Sequence, residues 1–369
     1  MKLRYKILGG VALFLVVAIS SLAMTLAYTE TCDPKLVASS QKEQMKSVTY
    51  RCYGPSTVLE YGDVEKPVPA NDEVLVKVQA ASVNPMDWHY MRGSPYFMRL
   101  ISGIGAPSNI NIGTDFSGTI EAIGENVTKF KVGDDVFGGA SGAFGQYITI
   151  RENRALTLKP ANVTFEQAAA VPVAALSALQ ALRDAGKLQA GQKVLINGAS
   201  GGVGTYAVQI AKAYGAEVHG VCSSRNTEMV RSIGADHVFD YKKEDYTESG
   251  EIYDLIIDNV SNHSPLDNIR VLKPEGILVN VGGAAGDWIG PVLGPIKAML
   301  VEPFVSQKLP SLMAGLKSSD LVVLAELMES GKMTSVIDRR YSLKEVPAAI
   351  TYSESGRARG KIIINMHDA

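Results

Sequence analysis

A run of small residues near the middle of the chain has the composition of a phosphate-binding turn. Its members are Ala199, Ser200, Gly201, Gly202, Val203 and Gly204. Because glycine has no side chain, the backbone can approach a pyrophosphate closely and the following helix can pack on the preceding strand. The N–H groups and the dipole of that helix then face the anion. The run predicts a dinucleotide site, although Ala199 stands where the usual G-x-G-x-x-G pattern has its first glycine.

The residues that follow the next apolar run distinguish between two dinucleotides. An NAD site places Asp or Glu roughly 20 residues past the glycines, where the carboxylate holds the ribose 2′-hydroxyl. This chain has Ser223, Ser224 and Arg225 instead, and a cation with two hydroxyls suits a 2′-phosphate. We therefore predict NADPH as the cofactor, with Tyr241 as a second neighbour of the same phosphate. The alternatives are that Arg225 only caps a solvated helix and that Tyr241 only packs at a strand end.

Alternating strand and helix patterns surround this turn. Apolar runs at 194–196 and 218–222 predict parallel strands, and the helical spacing that starts at Val203 predicts the helix between them, ended by Gly215. Two further apolar runs, at 253–258 and 276–283, complete a doubly wound sheet whose strand ends line the cofactor crevice. The residues predicted to flank the ribose and the nicotinamide there are Asn259, Val281, Gly282 and Gly283.

The flanking stretches indicate a second domain. Between residues 48 and 150 the pattern is one of short strands and turns, which predicts an irregular, mostly β domain. The stretch 165–182 is rich in Ala and Leu, and with Thr164 as N-cap it predicts one helix that leads into the nucleotide domain. The last apolar run, 359–364, predicts a single strand that returns to the first domain.

The N-terminal stretch has the pattern of a membrane segment. Residues 7–28 carry no charge, and Lys2, Arg4 and Lys6 precede them. This length predicts a single-pass transmembrane anchor, with a cleaved signal peptide as the alternative. The positive-inside rule would place the main body outside the cytoplasm. NADPH instead favours a cytoplasmic body, and a start of translation near Met45 would also resolve the conflict.

Overall charge excludes one class of partner. The formal net charge of the 369 residues is −2, and no basic run occurs beyond the N-terminus. A protein that binds nucleic acid through its phosphates needs a basic surface. We therefore expect no nucleic-acid partner.

Several separate stretches carry a resemblance to a known family. They are ASVNPMD at 81–87, GTDFSG at 113–118, GDDVFG at 133–138, residues 168–182, the small-residue turn, and Gly360-Lys361. From about Met45 to Ile364 the chain resembles the medium-chain dehydrogenase/reductase superfamily, and more narrowly its zinc-independent quinone-oxidoreductase-like branch. The resemblance implies an α/β protein in which a GroES-like catalytic domain is interrupted by a Rossmann domain, often in a homodimer. The predicted ranges are therefore 45–170 with 338–369 for the catalytic domain and 171–337 for the Rossmann domain. They follow residues 1–44, which hold the anchor predicted above at about 7–28 and a linker.

Zinc is where this chain differs from the alcohol dehydrogenases of the same superfamily. Their catalytic metal is held by a Cys, a His-Glu pair and a second Cys, and the matching positions here are Asn84, Thr114-Asp115 and Val173. Asn84, Thr114 and Val173 are not zinc ligands. The chain has three cysteines, at positions 32, 52 and 222, without a C-x-x-C pair. We predict no bound metal, even if a zinc-type family label applies by homology.

Without a metal to polarise a simple ketone, substrates already activated for hydride acceptance are favoured, namely quinones, enones and similar conjugated carbonyls. The resemblance places the segment 84–92 beside the nicotinamide, so the candidate catalytic residues are Asn84, Asp87, His89 and Tyr90. Asn84 and Tyr90 would donate to the developing oxyanion, and His89 would relay a proton. The alternative for Asp87 is a structural ion pair with Arg92.

Two further candidates and two other functions stay open. Ser177 would touch the nicotinamide or only occupy a helix start, and Lys361 would reach the cofactor phosphates or point into solvent. A metal-free alcohol or aldehyde reductase would share every cofactor residue. A membrane-tethered scaffold that binds NADPH without turnover is the non-enzymatic alternative.

Overall fold

A computed structural model describes residues 2–32, 42–283, 286–288 and 290–366, with side chains from Leu13 onward except at position 291. In chain order the strands are β1 (Gln44–Thr49), β2 (Glu60–Glu65), β3 (Glu73–Val83), β4 (Asp115–Ile123), β5 (Asp135–Gly139), β6 (Tyr147–Arg151), β7 (Leu156–Leu158), β8 (Lys193–Asn197), β9 (Glu217–Cys222), β10 (His237–Asp240), β11 (Tyr253–Asp258), β12 (Leu272–Asn280), β13 (Ile337–Ser342) and β14 (Lys361–Asn365).

The helices alternate with these strands in the second half of the chain, and apart from α1 they are short in the first half. They are α1 (Lys2–Ala27), α2 (Pro85–Arg92), α3 (Arg99–Ser102), α4 (Phe165–Ala169), α5 (Pro172–Gln180), α6 (Gly202–Ala213), α7 (Thr227–Ser232), α8 (Pro265–Ile269), α9 (Gly290–Val301), α10 (Ser318–Glu329) and α11 (Val346–Glu354).

The β-rich part of the chain forms a seven-stranded sheet in the order β13-β14-β3-β4-β5-β7, with β6 also paired to β3. Strand β3 is antiparallel to β4, β6 and β14. Its inward residues, such as Val76, pack with Ile120 of β4 and Ile364 of β14 in one apolar cluster. The prediction that the last strand returns to the first domain is therefore confirmed.

The nucleotide-type half is a five-stranded parallel sheet in the order β10-β9-β8-β11-β12. Ile196 and Ile257 pack on one face of it, and Leu195 and Ile256 pack on the other. Strands buried on both faces are apolar without alternation, as these runs are. The predicted doubly wound α/β sheet is confirmed, and α6 begins directly after the small-residue turn.

The helix predicted over 165–182 is two helices. Thr164 caps α4 as expected, because its hydroxyl accepts from the backbone N–H of Gln167 at 3.2 Å. Pro172 then begins α5. Proline has no N–H to donate to the preceding turn, so it starts a new helix at this point and the single-helix prediction is wrong.

The N-terminal segment is helical and its end is attached to the β-rich domain. Helix α1 runs over Lys2–Ala27, and Thr29 bridges to Gly105. A disulfide joins Cys32 to Cys52, a pairing that the spacing of the cysteines does not reveal.

The predicted transmembrane anchor gains no support from the structure. As far as its described residues extend, none of the helices has both the length and the apolar character needed to cross a bilayer. The side chains of residues 7–12 of that prediction lie outside the described ones, and so do residues 33–41 of the predicted linker.

Candidate active site

A buried polar cluster forms where three strands of the seven-stranded sheet meet. Asp115 is the first residue of β4, Lys361 is the first residue of β14, and Asn84 directly follows β3. The antiparallel registers set the end of β3 against the starts of both β4 and β14. Main-chain pairing therefore brings together three polar side chains that are far apart in the sequence.

The three side chains satisfy one another. Lys361 Nζ donates to Asn84 Oδ1 at 2.6 Å and lies 3.5 Å from Asp115 Oδ2. Asn84 Nδ2 donates to the same carboxylate at 2.8 Å, and the N–H of Val173 and the hydroxyl of Ser82 donate to it as well. Because Lys361 is only 3% exposed, the solvent-facing alternative for it is wrong.

Burial dominates the electrostatics of this cluster. It raises the pKa of Asp115, against the opposing charge of Lys361. It lowers the pKa of Lys361, although Asp115 and Asp87 both favour the charged ammonium. Burial removes water from the carboxylate of Asp115 and from the ammonium of Lys361. The attraction between these two opposite charges offsets part of that cost.

Asp87 lies on the first turn of α2, beside the cluster. Its carboxylate accepts from the backbone N–H of Asn84 at 2.7 Å and from the hydroxyl of Thr114 at 3.2 Å. Burial is the main cause that raises the pKa of Asp87 to about 7, and the charge of Asp115 adds to it. Asp87 therefore holds its proton to a much higher pH than an exposed carboxyl does, and part of the molecules carry that proton near neutral pH.

The predicted ion pair between Asp87 and Arg92 is wrong. The guanidinium of Arg92 instead donates to the carboxylate of Glu354 on α11. The two side chains of the predicted pair stand five positions apart on α2, a spacing that does not bring them onto one helix face. Asp87 is therefore free of that partner and belongs to the polar cluster.

His89 and Tyr90 follow on α2 and are half-buried. His89 Nδ1 lies 2.7 Å from the carbonyl oxygen of Ser94, and its ring centroid is 3.8 Å from that of Trp88. Burial lowers the pKa of His89, so the ring is neutral at pH 7 and Nδ1–H donates to Ser94. Its Nε2 is then an acceptor, and the role of His89 as a proton relay stays a prediction.

The small-residue turn has the tight backbone that its composition predicts. A Cβ on Gly204 would lie 2.1 Å from the carbonyl oxygen of Gly198, so a larger residue cannot fit there. A Cβ on Gly201 would meet nothing closer than 3.5 Å, which leaves open space beside the start of α6. Gly202 faces the polar cluster, because its Cβ would lie 3.4 Å from Lys361 Cδ.

The other residues of the turn are fixed by neighbouring segments. The N–H of Ala199 donates to a carbonyl of β9, and Val203 packs against the core of the parallel sheet. Ser200 Oγ accepts from Asn226 Nδ2 at 2.9 Å, and the Ser200 carbonyl accepts from the N–H of Gly360 at 3.0 Å. Since β14 starts one residue after Gly360, the turn and the polar cluster form one continuous site.

The candidates for the 2′-phosphate lie at the ends of two adjacent strands. Ser223, Ser224 and Arg225 directly follow β9, and Tyr241 directly follows β10. Arg225 is exposed, and its guanidinium donates to a carbonyl of the loop before β14 at 2.8 Å. Ser224 Oγ donates to Asp240 Oδ2 at 2.5 Å. The structure thus brings all four candidates to one edge of the sheet.

The strand ends predicted to flank the nicotinamide also meet. The N–H groups of Val281 and Gly282 both donate to the carbonyl of Asp258, and Gly283 is exposed. A Cβ on Gly282 would lie 2.1 Å from the carbonyl oxygen of Asn259. Asn259 Nδ2 donates to a carbonyl of β8, whereas its buried Oδ1 has no partner within the described residues.

Ser177 occupies the second turn of α5 and is 8% exposed. Its hydroxyl donates to the carbonyl of Val173 at 2.7 Å, one helical turn earlier. The N–H of Val173 binds Asp115, so α5 starts against the polar cluster. The structure therefore places Ser177 next to the cluster, with its hydroxyl proton already used within the helix.

Two residues of the site were singled out by sequence only as counterparts of zinc ligands. The hydroxyl of Thr114 contacts Asp87, and the carboxylate of Asp115 pairs with Lys361. The signal that could have found them is the GTDFSG stretch at 113–118. Its contribution depends on pairing with strands distant in sequence, which local patterns do not encode.

The residues present do not fit a zinc ion. Asn84, Thr114 and Val173 supply no thiolate or imidazole, and the ammonium of Lys361 lies among them. Within the part of the chain that the structure describes, no three His, Cys, Asp or Glu side chains are grouped to hold a metal.

The same region does fit a dinucleotide. The glycine positions leave a backbone cradle that a side chain would fill, at the start of a helix. Two buried carbonyl oxygens, Asn226 Oδ1 and Asn259 Oδ1, lack partners within the described residues and can accept from hydroxyl or amide groups. The turn and the ends of β9 to β12 are therefore the residues that would hold it.

Comparison with known proteins agrees with this arrangement. Residues 70–161 match the family model described as "Alcohol dehydrogenase GroES-like domain", and residues 233–364 match the one described as "Zinc-binding dehydrogenase". The chain is 35% identical to the chloroplastic quinone-oxidoreductase QR1 of Triphysaria versicolor over 339 residues, which cover 87% of this chain and 98% of that protein. It is 33% identical to the mitochondrial NAD(P)H oxidoreductase RTN4IP1 of Mus musculus, over 80% of this chain and 82% of that protein.

Solved structures show the same architecture. The quinone oxidoreductase from Coxiella burnetii superposes with a TM-score of 0.78 at 28% identity, over 88% of this chain and all of that one. The Escherichia coli quinone oxidoreductase complexed with NADPH superposes with a TM-score of 0.74 at 25% identity, over 87% of this chain and all of that one.

The fold and the site define a two-domain oxidoreductase of the nicotinamide-dependent class. The chain belongs to the medium-chain dehydrogenase/reductase superfamily, among its quinone-oxidoreductase-like members.

Proposed function

We propose that the protein is an NADPH-dependent reductase that transfers hydride to a quinone, an enone or a similar activated carbonyl without zinc. The observation that carries this proposal is the Lys361–Asn84–Asp115 cluster beside the dinucleotide turn. Its Asn84 and Asp115 stand at positions that the resemblance matches to zinc ligands, and the cluster is closed by the ammonium of Lys361. The names of the relatives, quinone oxidoreductase and NAD(P)H oxidoreductase, support the same substrate and cofactor classes.

The chain's own residues would bind the cofactor in two places. The N–H groups at the start of α6, around Gly201 and Gly202, would hold the pyrophosphate, and Arg225 with Ser223 would hold the 2′-phosphate. When bound there, the reduced nicotinamide supplies a hydride to the electrophilic carbon of the substrate.

The proton that accompanies this hydride is assigned to Asp87 and Thr114. Thr114 is only partly buried and its hydroxyl contacts Asp87, which carries a proton in part of the molecules near pH 7. The hydroxyl of Thr114 would donate its proton to the substrate oxyanion and take the proton of Asp87, which becomes a carboxylate. Asn84 would keep the segment in place, since both ends of its amide are already bonded within the cluster.

The experiment that tests the proposal follows the absorbance of NADPH and NADH with a panel of quinones, enones and simple aldehydes, on full-length protein of measured zinc content. We expect turnover of quinones or enones with NADPH and without bound zinc. Turnover confined to simple aldehydes would favour the alcohol or aldehyde reductase, and NADPH binding without any turnover would favour the scaffold.

The choice of cofactor has its own test. Arg225→Ala removes a charged hydrogen-bond donor worth about 1.5–3 kcal/mol, so the Kd for NADPH should rise by about tenfold to a hundredfold. The Kd for NADH should stay unchanged. Arg231→Ala, which removes an exposed arginine on α7, is the matched control. Equal weakening of both dinucleotides by Arg225→Ala would contradict the assignment of the 2′-phosphate.

Three further predictions from the sequence belong to this proposal. The catalytic domain would comprise residues 45–170 with 338–369, and the Rossmann domain residues 171–337, after an N-terminal part of residues 1–44. The protein would form a homodimer. Its catalytic body would work in the cytoplasm, where NADPH is available.

A further inference from the structure

An apolar ridge lies on the segment that follows α2. It consists of Phe97, Leu100, Ile101 and Ile104, whose exposed fractions are 43%, 62%, 77% and 50%. Single exposed apolar residues are ordinary, but four large ones within one short segment form a contiguous patch that indicates a contact surface.

The end of α1 is fastened beside this ridge. The guanidinium of Arg99, which is 3% exposed, donates to the carbonyl oxygens of Leu26 and Tyr28 at 2.9 and 2.7 Å. The N–H of Glu30 donates to the carbonyl of Gly105 at 2.9 Å. Since Arg99 lies within the ridge segment and Gly105 directly follows it, α1 and the ridge belong to one surface.

Helix α1 presents apolar side chains on all of its sides. Their exposed fractions lie between 52% and 72% at Leu13, Phe14, Leu15, Val16, Val17, Ile19, Leu22 and Met24. Five consecutive residues turn through more than one full circle of a helix. A single globular partner would cover one face of α1, whereas lipid surrounds a helix, so this pattern favours lipid.

The charge at the N-terminus suits a lipid surface. Lys2, Arg4 and Lys6 precede the apolar stretch and suit anionic headgroups.

The ridge also borders the candidate active site. Ser94, just before the ridge, accepts from His89 through its carbonyl and donates through its hydroxyl to Asp287 at 2.6 Å. Tyr96 contacts Trp288 edge to face, with ring centroids 4.8 Å apart, and Trp288 is 45% exposed. The residues that connect α2 to the ridge therefore also contact the segment after β12, so the ridge lies near the candidate active site.

We propose that α1 and the apolar ridge rest in the acyl layer of a lipid bilayer, and that the candidate active site takes a lipophilic quinone or enone from that bilayer. The substrate class rests on the proposed function, whereas binding of the bilayer does not. In this arrangement α1 is the main membrane anchor, and the ridge is a second contact between the protein and the bilayer.

The test uses the full chain and vesicles of phosphatidylcholine with or without phosphatidylglycerol. Flotation in a density gradient measures binding, and NADPH oxidation measures turnover of a long-chain quinone held in the vesicles and of a short-chain quinone in water. The ridge variant is Leu100→Glu with Ile101→Glu. Its matched control is Val68→Glu with Val132→Glu, at residues 83% and 58% exposed outside the ridge and α1.

We expect the wild type and the control to float with the vesicles. The ridge variant should lose about tenfold in turnover of the vesicle-held quinone and keep its turnover of the water-soluble one. Wild-type protein that stays out of the vesicle fraction overturns the proposal, and so does a defined oligomer that does not float. A ridge variant with wild-type turnover of the vesicle-held quinone overturns the inference that the substrate is taken from the bilayer beside the ridge. If no quinone is reduced at all, the proposed function fails, and flotation alone decides whether the bilayer is bound.

Discussion

Replacing Asp87 by Asn should change how the stability of the protein depends on pH. Burial raises the pKa of this carboxyl from 3.8 to about 7 in the folded protein. The folded state therefore binds a proton more tightly than the unfolded state between these two values. The stabilising contribution is fully present below pH 3.8 and is lost as the pH rises through 7.

The magnitude follows from the difference between the two pKa values. It is about 3.2 (7 − 3.8), and each pKa unit corresponds to about 1.36 kcal/mol. The wild type should thus lose about 4 kcal/mol of unfolding free energy from this group between about pH 4 and about pH 8. Asp87→Asn cannot ionise, so its stability relative to the wild type should rise by that amount over the same range.

Urea unfolding followed by tryptophan fluorescence measures this difference, because Trp88 is the next residue in the chain. Asp63→Asn is the control, since Asp63 is exposed and pairs with Lys46 at 2.8 Å. An exposed pair contributes about 1 kcal/mol or less, so this variant should follow the wild-type pH profile closely. Parallel profiles for the wild type and Asp87→Asn, or a difference of the opposite sign, would refute the reasoning.

Three other predictions concern neighbouring parts of the site. Thr114→Val should lower kcat for quinone reduction by about a hundredfold, because it removes the hydroxyl that relays the proton; Thr114→Ser should stay near wild-type activity, and equal losses in both variants would contradict the relay. Lys361→Met should cost about 3 kcal/mol in urea unfolding at neutral pH, because it leaves Asp115 buried without its cation; an unchanged midpoint would show that the pair is not needed. Gly204→Ala should destabilise the fold by about 1–3 kcal/mol through overpacking, whereas Gly201→Ala should keep the unfolding midpoint and weaken NADPH binding measured by fluorescence titration. If the two glycine variants behaved alike, the geometry of the turn would be misassigned.

The parts of the fold that the sequence predicts well are those set by local pattern. The apolar runs around the glycine turn gave β8, β9, β11 and β12, because fully buried parallel strands are apolar over their whole length. The division of 165–182 into two helices was also encoded locally, in Pro172. That signal was outweighed by the Ala- and Leu-rich composition around it.

The parts that sequence reasoning missed depend on contacts between distant positions. Lys361 is buried against Asn84, 277 positions away in the chain, and Arg92 pairs with Glu354 at a separation of 262. Neither partner can be read from a local window, because strand register and helix docking choose them. For the same reason, Thr114 acquires its contact with Asp87 only in the folded sheet.

Strand β14 lies between β13 and β3 in the seven-stranded sheet and carries the ammonium of the polar cluster. On the ribosome, the first strands of that sheet emerge well before β14, which follows the whole parallel sheet in order of synthesis. Until then, β3 presents an unpaired edge over residues 80–83 and Asp115 lacks its counter-charge. During translation, the nascent β-rich domain therefore depends on the completion of its neighbour before it can close.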